Sequence, residues 1–161
     1  MIHLRNVWVI PGTFVIAFVL VILPLPEWAQ ALRPEWVSMV ALYWCLAIPR
    51  VFGVALAWII GLILDVAHGS LLGQHAFGLC TIAYFASRFH QQIRLAPLSQ
   101  QAVIITVFLV IKQTLVLWVY GVIGQLPDNI VFYYIPSFLA LLLWPWAFII
   151  LRDVRRRYRI S

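Results

Sequence analysis

The sequence predicts an all-α integral membrane protein: six transmembrane helices packed as one domain over residues 1–161. Three observations carry that reading. The chain is 65% hydrophobic and only 10% charged, with a mean hydropathy of +1.00, whereas a soluble domain carries about 25% charged residues. Apolar segments recur along the whole length. Basic residues fall between or after those segments, the pattern that orients a membrane protein. Disorder needs low hydrophobicity and high net charge. A soluble core of this size cannot hide so much apolar surface. The formal charge of +6 therefore reads as a basic rim facing lipid headgroups, and no nucleic-acid partner is implied.

The segments run over about 7–25, 36–48, 51–67, 71–87, 102–123 and 130–151. A helix needs about 20 apolar residues to cross the hydrocarbon core. The second segment is short, opening at Pro34-Glu35, where proline suits a first helical turn, and closing at Pro49-Arg50. No alternating pattern of about ten residues recurs, which argues against a transmembrane barrel. Ala29-Gln30-Ala31 resembles a cleavage site. The apolar stretch before it exceeds the roughly 7–15 residues of a signal core, so the first segment is expected to stay. Cys45 and Cys80 lie inside apolar segments and read as small buried hydrophobes.

Orientation follows from the arginines. With the tail inside, six spans place Arg5, Arg50, Arg88, Arg94, Arg152, Arg155, Arg156, Arg157 and Arg159 on the cytoplasmic side and only Arg33 outside. That bias supports an even number of spans, with both termini in the cytoplasm. Trp28 and Trp36 fall at the outer edge and Trp8 at the inner edge, as an aromatic belt requires.

Few residues carry chemistry. Asp65 ends the string GLILD, and Lys112 stands within VIKQTL. Ionisable groups inside spans are costly and mark function or pairing. Asp65 is 14 residues past Val51 and Lys112 is 12 past Gln100, about 21 Å and 18 Å along their helices. The two charges lie at similar depth. They can form a relay, a structural salt bridge or caps on a wet dip near the outer surface, the structural readings being favoured. Asp65→Asn is expected to keep most function if the group serves packing or capping. His68 reads as a polar cap at the end of the third span. Asp65, His68 and His75 lack the spacing of a closed zinc site, so no metal is implied. Hydrolase, nucleotide-binding and zinc-protease motifs are absent, so no enzyme or cofactor is implied. Gly53, Ala57, Gly61, Asp65, Gly69 and Gly73 recur every four residues. Such small-residue faces let helix backbones approach, within this chain or against a partner helix. The third span is central in the sequence and is expected to be buried in its own bundle.

The strings RPEW (33–36), ALYWCLAIPR (41–50), GLILDVAHGSLLGQHA (61–76), QQAVIITVFLV (100–110) and LLWPWAFIILRDVRRRY (142–158) together resemble the MreD family of rod shape-determining inner-membrane proteins. Family motif positions fall on Arg33, Pro34, Trp36, Tyr43, Trp44, Pro49, Gly61, Asp65, Gly69, Gly73, Trp144 and Pro145. The resemblance implies a non-enzymatic component of the cell-elongation machinery. It also implies work with MreC, the MreB cytoskeleton, and RodA with its penicillin-binding transpeptidase. The family is distantly similar to the six-helix substrate-binding components of energy-coupling vitamin transporters. Two functions follow. One is a scaffold that binds MreC and helps regulate peptidoglycan synthesis and rod shape. The other is a small-molecule or lipid-binding subunit. A pocket suited to the latter would draw on Arg33, Glu35, Asp65, His68, Gln74 and His75 on the outer side.

Overall fold

The computed structural model describes residues 6–30 and 32–160. Arg5 and Ala31, used above for orientation and the cleavage-like triplet, lie outside the described residues. The described residues form helices only: α1 (Val9–Ile22), α2 (Glu27–Gln30), α3 (Trp36–Ala47), α4 (Val54–His68), α5 (Gln74–Arg88), α6 (His90–Leu95), α7 (Leu98–Val122) and α8 (Ile130–Arg157). Helices α1, α3, α4, α5, α7 and α8 fall on the six apolar segments. Two of them, α7 with 25 residues and α8 with 28, are long and apolar enough to cross a membrane. The two short helices were not expected. α2 follows Pro26, and α6 sits between Arg88 and Pro97, where proline stops the chain from running straight on into α7.

The centre of the bundle is α3. Every residue from Val37 to Leu46 is buried, as expected of a helix that is apolar on all sides. It packs against α1, α5, α6, α7 and α8. Thr13 in α1 accepts from the Trp44 indole at 3.0 Å, and Tyr43 meets the Phe148 ring of α8 edge-on at 5.6 Å. The expectation that the third span is the buried one is corrected here. α4 buries only Ala57, Gly61, Leu64 and Asp65 and packs chiefly on α5, leaving Trp58, Ile59, Ile63 and Val66 exposed. Position in sequence is a poor guide because short loops place α4 beside α5 without wrapping it. The exposed stripe of α4 is apolar, like the exposed Trp118 of α7 and Trp146 of α8.

The small-residue series divides by position. At Gly61 a Cβ would collide with the Ala76 backbone, 2.9 Å from its amide nitrogen. α4 and α5 therefore touch backbone to backbone there, and Ala57 is buried one turn earlier. Gly53 has open space around it. Gly69 and Gly73 serve turns, with φ of 65° and 97°, so the reading of Gly53, Gly69 and Gly73 as a packing face is corrected. Gly69 closes α4 by the left-handed turn in which Ser70 N–H reaches the Asp65 carbonyl at 3.0 Å. Cys45 is buried, while Cys80 is half-buried and its thiol donates to the Val54 carbonyl at 3.5 Å.

Gly61→Leu should part α4 from α5, cost about 1–3 kcal/mol or more and lower the melting temperature of the purified protein. Gly53→Ala should stay within about 1 kcal/mol of the parent, losing only a little at the helix start. Equal melting temperatures for the two variants would contradict the close approach at Gly61.

Candidate functional site

One end of the bundle opens into a cavity of about 480 Å³. Its wall comes from the segment before α3 (Arg33, Pro34, Glu35), the start of α3 (Trp36, Ser38), the end of α4 (His68), the start of α5 (His75), the second half of α7 (Lys112, Gln113, Tyr120) and the start of α8 (Phe132, Tyr133). Of the six polar residues expected to line a pocket, Arg33, Glu35, His68 and His75 do so, while Asp65 and Gln74 stand behind the wall.

Lys112 is 1% exposed, and its Nζ donates to Glu35 Oε2 at 2.6 Å and to Ser38 Oγ at 2.9 Å. Ser38 Oγ in turn donates to Glu35 Oε2 at 2.9 Å, and Gln113 Nε2 donates to Glu35 Oε1 at 2.7 Å. Both carboxylate oxygens are thus held by adjacent residues of α7. Burial disfavours the Glu35 carboxylate, but the Lys112 charge and the Lys112 and Ser38 hydrogen bonds outweigh it, and its pKa sits below the ordinary value. Gly78 makes room for this arrangement, since a Cβ there would lie 2.9 Å from Lys112 Cγ and 3.3 Å from its carbonyl oxygen. Sequence spacing paired Lys112 by depth with Asp65. The structure instead carries the flexible lysine stem to Glu35, at the end of the bundle.

Asp65 is fully buried and accepts from five donors. His75 N–H and His75 Nδ1 reach Oδ1 at 2.8 Å each, and Ser70 Oγ reaches it at 3.0 Å. Gly73 N–H and Ala76 N–H reach Oδ2 at 2.9 and 3.4 Å. The carboxylate of α4 therefore caps the N-terminus of α5, where unpaired amides and the helix dipole favour a negative charge. A carboxylate only accepts here, so His75 Nδ1 carries the hydrogen and Nε2 is the nitrogen left free in the neutral ring. The His68 ring stacks on His75 with centroids 4.9 Å apart, its Nδ1 against the Leu64 carbonyl at 3.0 Å.

Arg33 closes the other end of α1. Its guanidinium donates to the Val21 carbonyl and, at 2.6 Å, to the Leu23 carbonyl, a cation on helix-terminal carbonyls. Its Nε is buried without a partner. Trp36 lines the cavity instead of joining an exposed belt with Trp8 and Trp28. Of the remaining motif residues, Tyr43 and Trp44 lie in the core on α3, and Trp144 is buried on α8. Pro49 follows the end of α3, and Pro145 stands inside α8. Ser38, Gln113, Tyr120 and Tyr133 were not anticipated. Only the adjacency of Gln113 to Lys112 signalled any of them.

A family model described as rod shape-determining protein MreD matches residues 3–154. The chain belongs to the MreD family. A Haemophilus influenzae protein described as rod shape-determining protein MreD is 34% identical over 151 residues, covering 91% of this chain and 90% of that protein. No solved structure matches the chain. MreD membership makes this a membrane-associated protein of rod-shape determination, and its apolar helices agree.

The five donors around Asp65 give Asp65→Asn a cost in stability. An amide NH₂ in place of one oxygen would face N–H donors on that side, leaving buried groups unpaired at about 1–3 kcal/mol. Asp65→Asn should lower the melting temperature clearly, and Asp65→Glu should not restore it. An unchanged melting temperature in Asp65→Asn would contradict the capping role.

Proposed function

We propose that this protein is a non-enzymatic, six-span component of the cell-elongation machinery that receives MreC in the cavity described above. The cavity opens on the outer face of the inner membrane and both termini lie in the cytoplasm. MreB, RodA and its penicillin-binding transpeptidase are engaged directly or through MreC, and the outcome is regulation of peptidoglycan synthesis. The positive-inside distribution supports the orientation, because it puts every helix end that lines the cavity outside.

The cavity is the observation that carries the reading, and its chemistry favours a protein segment. Its charges are already answered from within: Lys112 by Glu35, Asp65 by the α5 amides and His75, and Arg33 by the α1 carbonyls. Arg33 keeps its formal charge on neutral carbonyls, and among the described residues no second unpaired cation stands beside it to make a dedicated anion site. Its walls carry Trp36, Tyr120, Phe132 and Tyr133, amphipathic surfaces of the kind that dominate protein interfaces. The small-residue face that an external helix would need is used up between α4 and α5 at Gly61. The alternative, a small-molecule or lipid-binding subunit like the vitamin-transporter components, draws support from the cavity volume, which lies in the usual range for ligand pockets of about 300–1,000 Å³.

Gln30 is exposed at the cavity wall, so a cysteine there can report both orientation and occupancy. In Gln30→Cys with Cys80→Ser, and with Cys45 left buried, a membrane-impermeant maleimide added outside intact spheroplasts should label the protein. Co-expressed MreC should reduce labelling several-fold. No labelling from outside would contradict the orientation. Equal labelling with and without MreC would remove the cavity as the MreC site and favour the small-ligand alternative.

A further inference from the structure

The end of the bundle opposite the cavity carries Arg50, Arg88, Arg94, Arg152, Arg155, Arg156, Arg157 and Arg159 against a single acid, Asp153. Within α8, Arg152, Arg155 and Arg156 stand at i, i+3 and i+4 and share one face. Arg152 and Arg155 are half-buried and Arg156 is exposed, so the face runs from the flank of the bundle out to its surface. Arg94 of α6 joins them from another part of the chain. Both α6 and α8 pack on α3, so Arg94 and the three α8 arginines lie at the same end of the bundle. None of the four has a carboxylate in hydrogen-bond reach among the described residues. Arg152 Nε is buried without a partner, and Asp153 stands 3.7 Å away.

The chain ends by fixing this cluster in place. Ile160 N–H reaches the Arg155 carbonyl at 3.0 Å and Arg159 N–H the Arg156 carbonyl at 3.2 Å, the closure that normally uses glycine. Here an arginine, Arg159, takes the left-handed position with φ of 50°, a conformation that costs a side chain of this kind about 1–2 kcal/mol. Ile160 turns back into the core at 8% exposed, and Asn6 Nδ2 donates to the Tyr158 carbonyl at 2.6 Å. The arginines are therefore presented on an ordered collar.

Apolar side chains ring the same level. Leu95 is 87% exposed and Trp8 is 86% exposed, and Phe89 is exposed beside α6, whose Ile93 holds it to the core. An acidic protein surface would complement the arginines but not this apolar rim. A phospholipid complements both, with a phosphate for the guanidinium forks and acyl chains for the rim.

We propose that the arginine cluster between α3, α6 and α8 is a binding site for the phosphate headgroup of an anionic phospholipid, phosphatidylglycerol or cardiolipin. Basic pockets between helices on the cytoplasmic side bind such headgroups. The site is independent of MreC.

The protein purified in a neutral detergent is titrated with cardiolipin, phosphatidylglycerol and phosphatidylcholine, and retained lipid is read by native mass spectrometry. The anionic lipids should be retained and should raise the melting temperature, and phosphatidylcholine should do neither. Arg94→Gln/Arg155→Gln/Arg156→Gln should weaken anionic-lipid binding roughly a hundredfold, at about fivefold per charge removed. The corresponding triple lysine variant should lose less than tenfold. The exposed single variant Arg156→Gln, expected to lose about fivefold, gives the answer if the triple variant does not fold. Wild-type retention of anionic lipid by Arg156→Gln and by the triple glutamine variant would overturn the proposal, as would equal retention of phosphatidylcholine by the wild type. Retained anionic lipid together with lost rod shape would assign the collar to an acidic protein surface, which overturns it equally.

Discussion

A lysine charge buried in an apolar bundle has to be answered, and Lys112 is answered 2.6 Å away by Glu35. Removing one partner of such a pair strands the other at a cost of about 3–5 kcal/mol. The bond ties the segment before α3 to the middle of α7, two parts of the chain that no other charged contact joins among the described residues. Ser38 and Gln113 saturate the same carboxylate, and Gly78 keeps α5 clear of the lysine stem. The cavity wall is built on this network. Four of its lining residues belong to it.

The remaining polar groups obey the same constraint. Asp65 is tolerated because α5 starts beside it with amides to spare, and Arg33 because α1 ends beside it with carbonyls to spare. The start of α5 and the end of α1 are thereby each closed by a charged side chain from a different part of the chain. This gives a concave polar site in which Lys112 and Glu35 cancel and Arg33 rests on carbonyls, set on a bundle whose outer surface is apolar. At the opposite end the arithmetic reverses, and arginines gather around the single carboxylate of Asp153. The two ends have different chemistry and suit different partners.

The all-helical class was legible from composition and periodicity, since apolar segments separated by Pro, Gly and Arg leave few alternatives. The positions of α1, α3, α4, α5 and α7 could be read to within a few residues, whereas α8 runs on through the arginines to Arg157, past the expected end at 151. The centrality of α3 was less obvious. Its ten consecutive buried residues include Ser38 and Tyr43 and are less apolar than those of α1, and what buries them is the packing of five other helices. The site was half legible. Asp65, Lys112, Arg33, His68 and His75 announced themselves as polar groups in or near apolar segments. Their pairing did not. Helical rise places Cα atoms, whereas Lys112 spans several further ångströms by its side chain to reach Glu35. Glycines at four-residue spacing also divided in a way spacing cannot show. Gly61 admits a backbone, and Gly69 and Gly73 admit a positive φ.

If the Lys112–Glu35 pair organises the cavity and rod shape runs through that cavity, reciprocal charge reversal exposes both links. Rod shape and membrane level should be scored together in cells carrying Glu35→Lys, Lys112→Glu or both. Each single variant places two like charges in contact and should round the cells. The double variant restores an opposite pair and should recover membrane level and a substantial share of rod cells. Rod-shaped cells in either single variant, or a double variant no better than the singles at normal membrane level, would contradict the account.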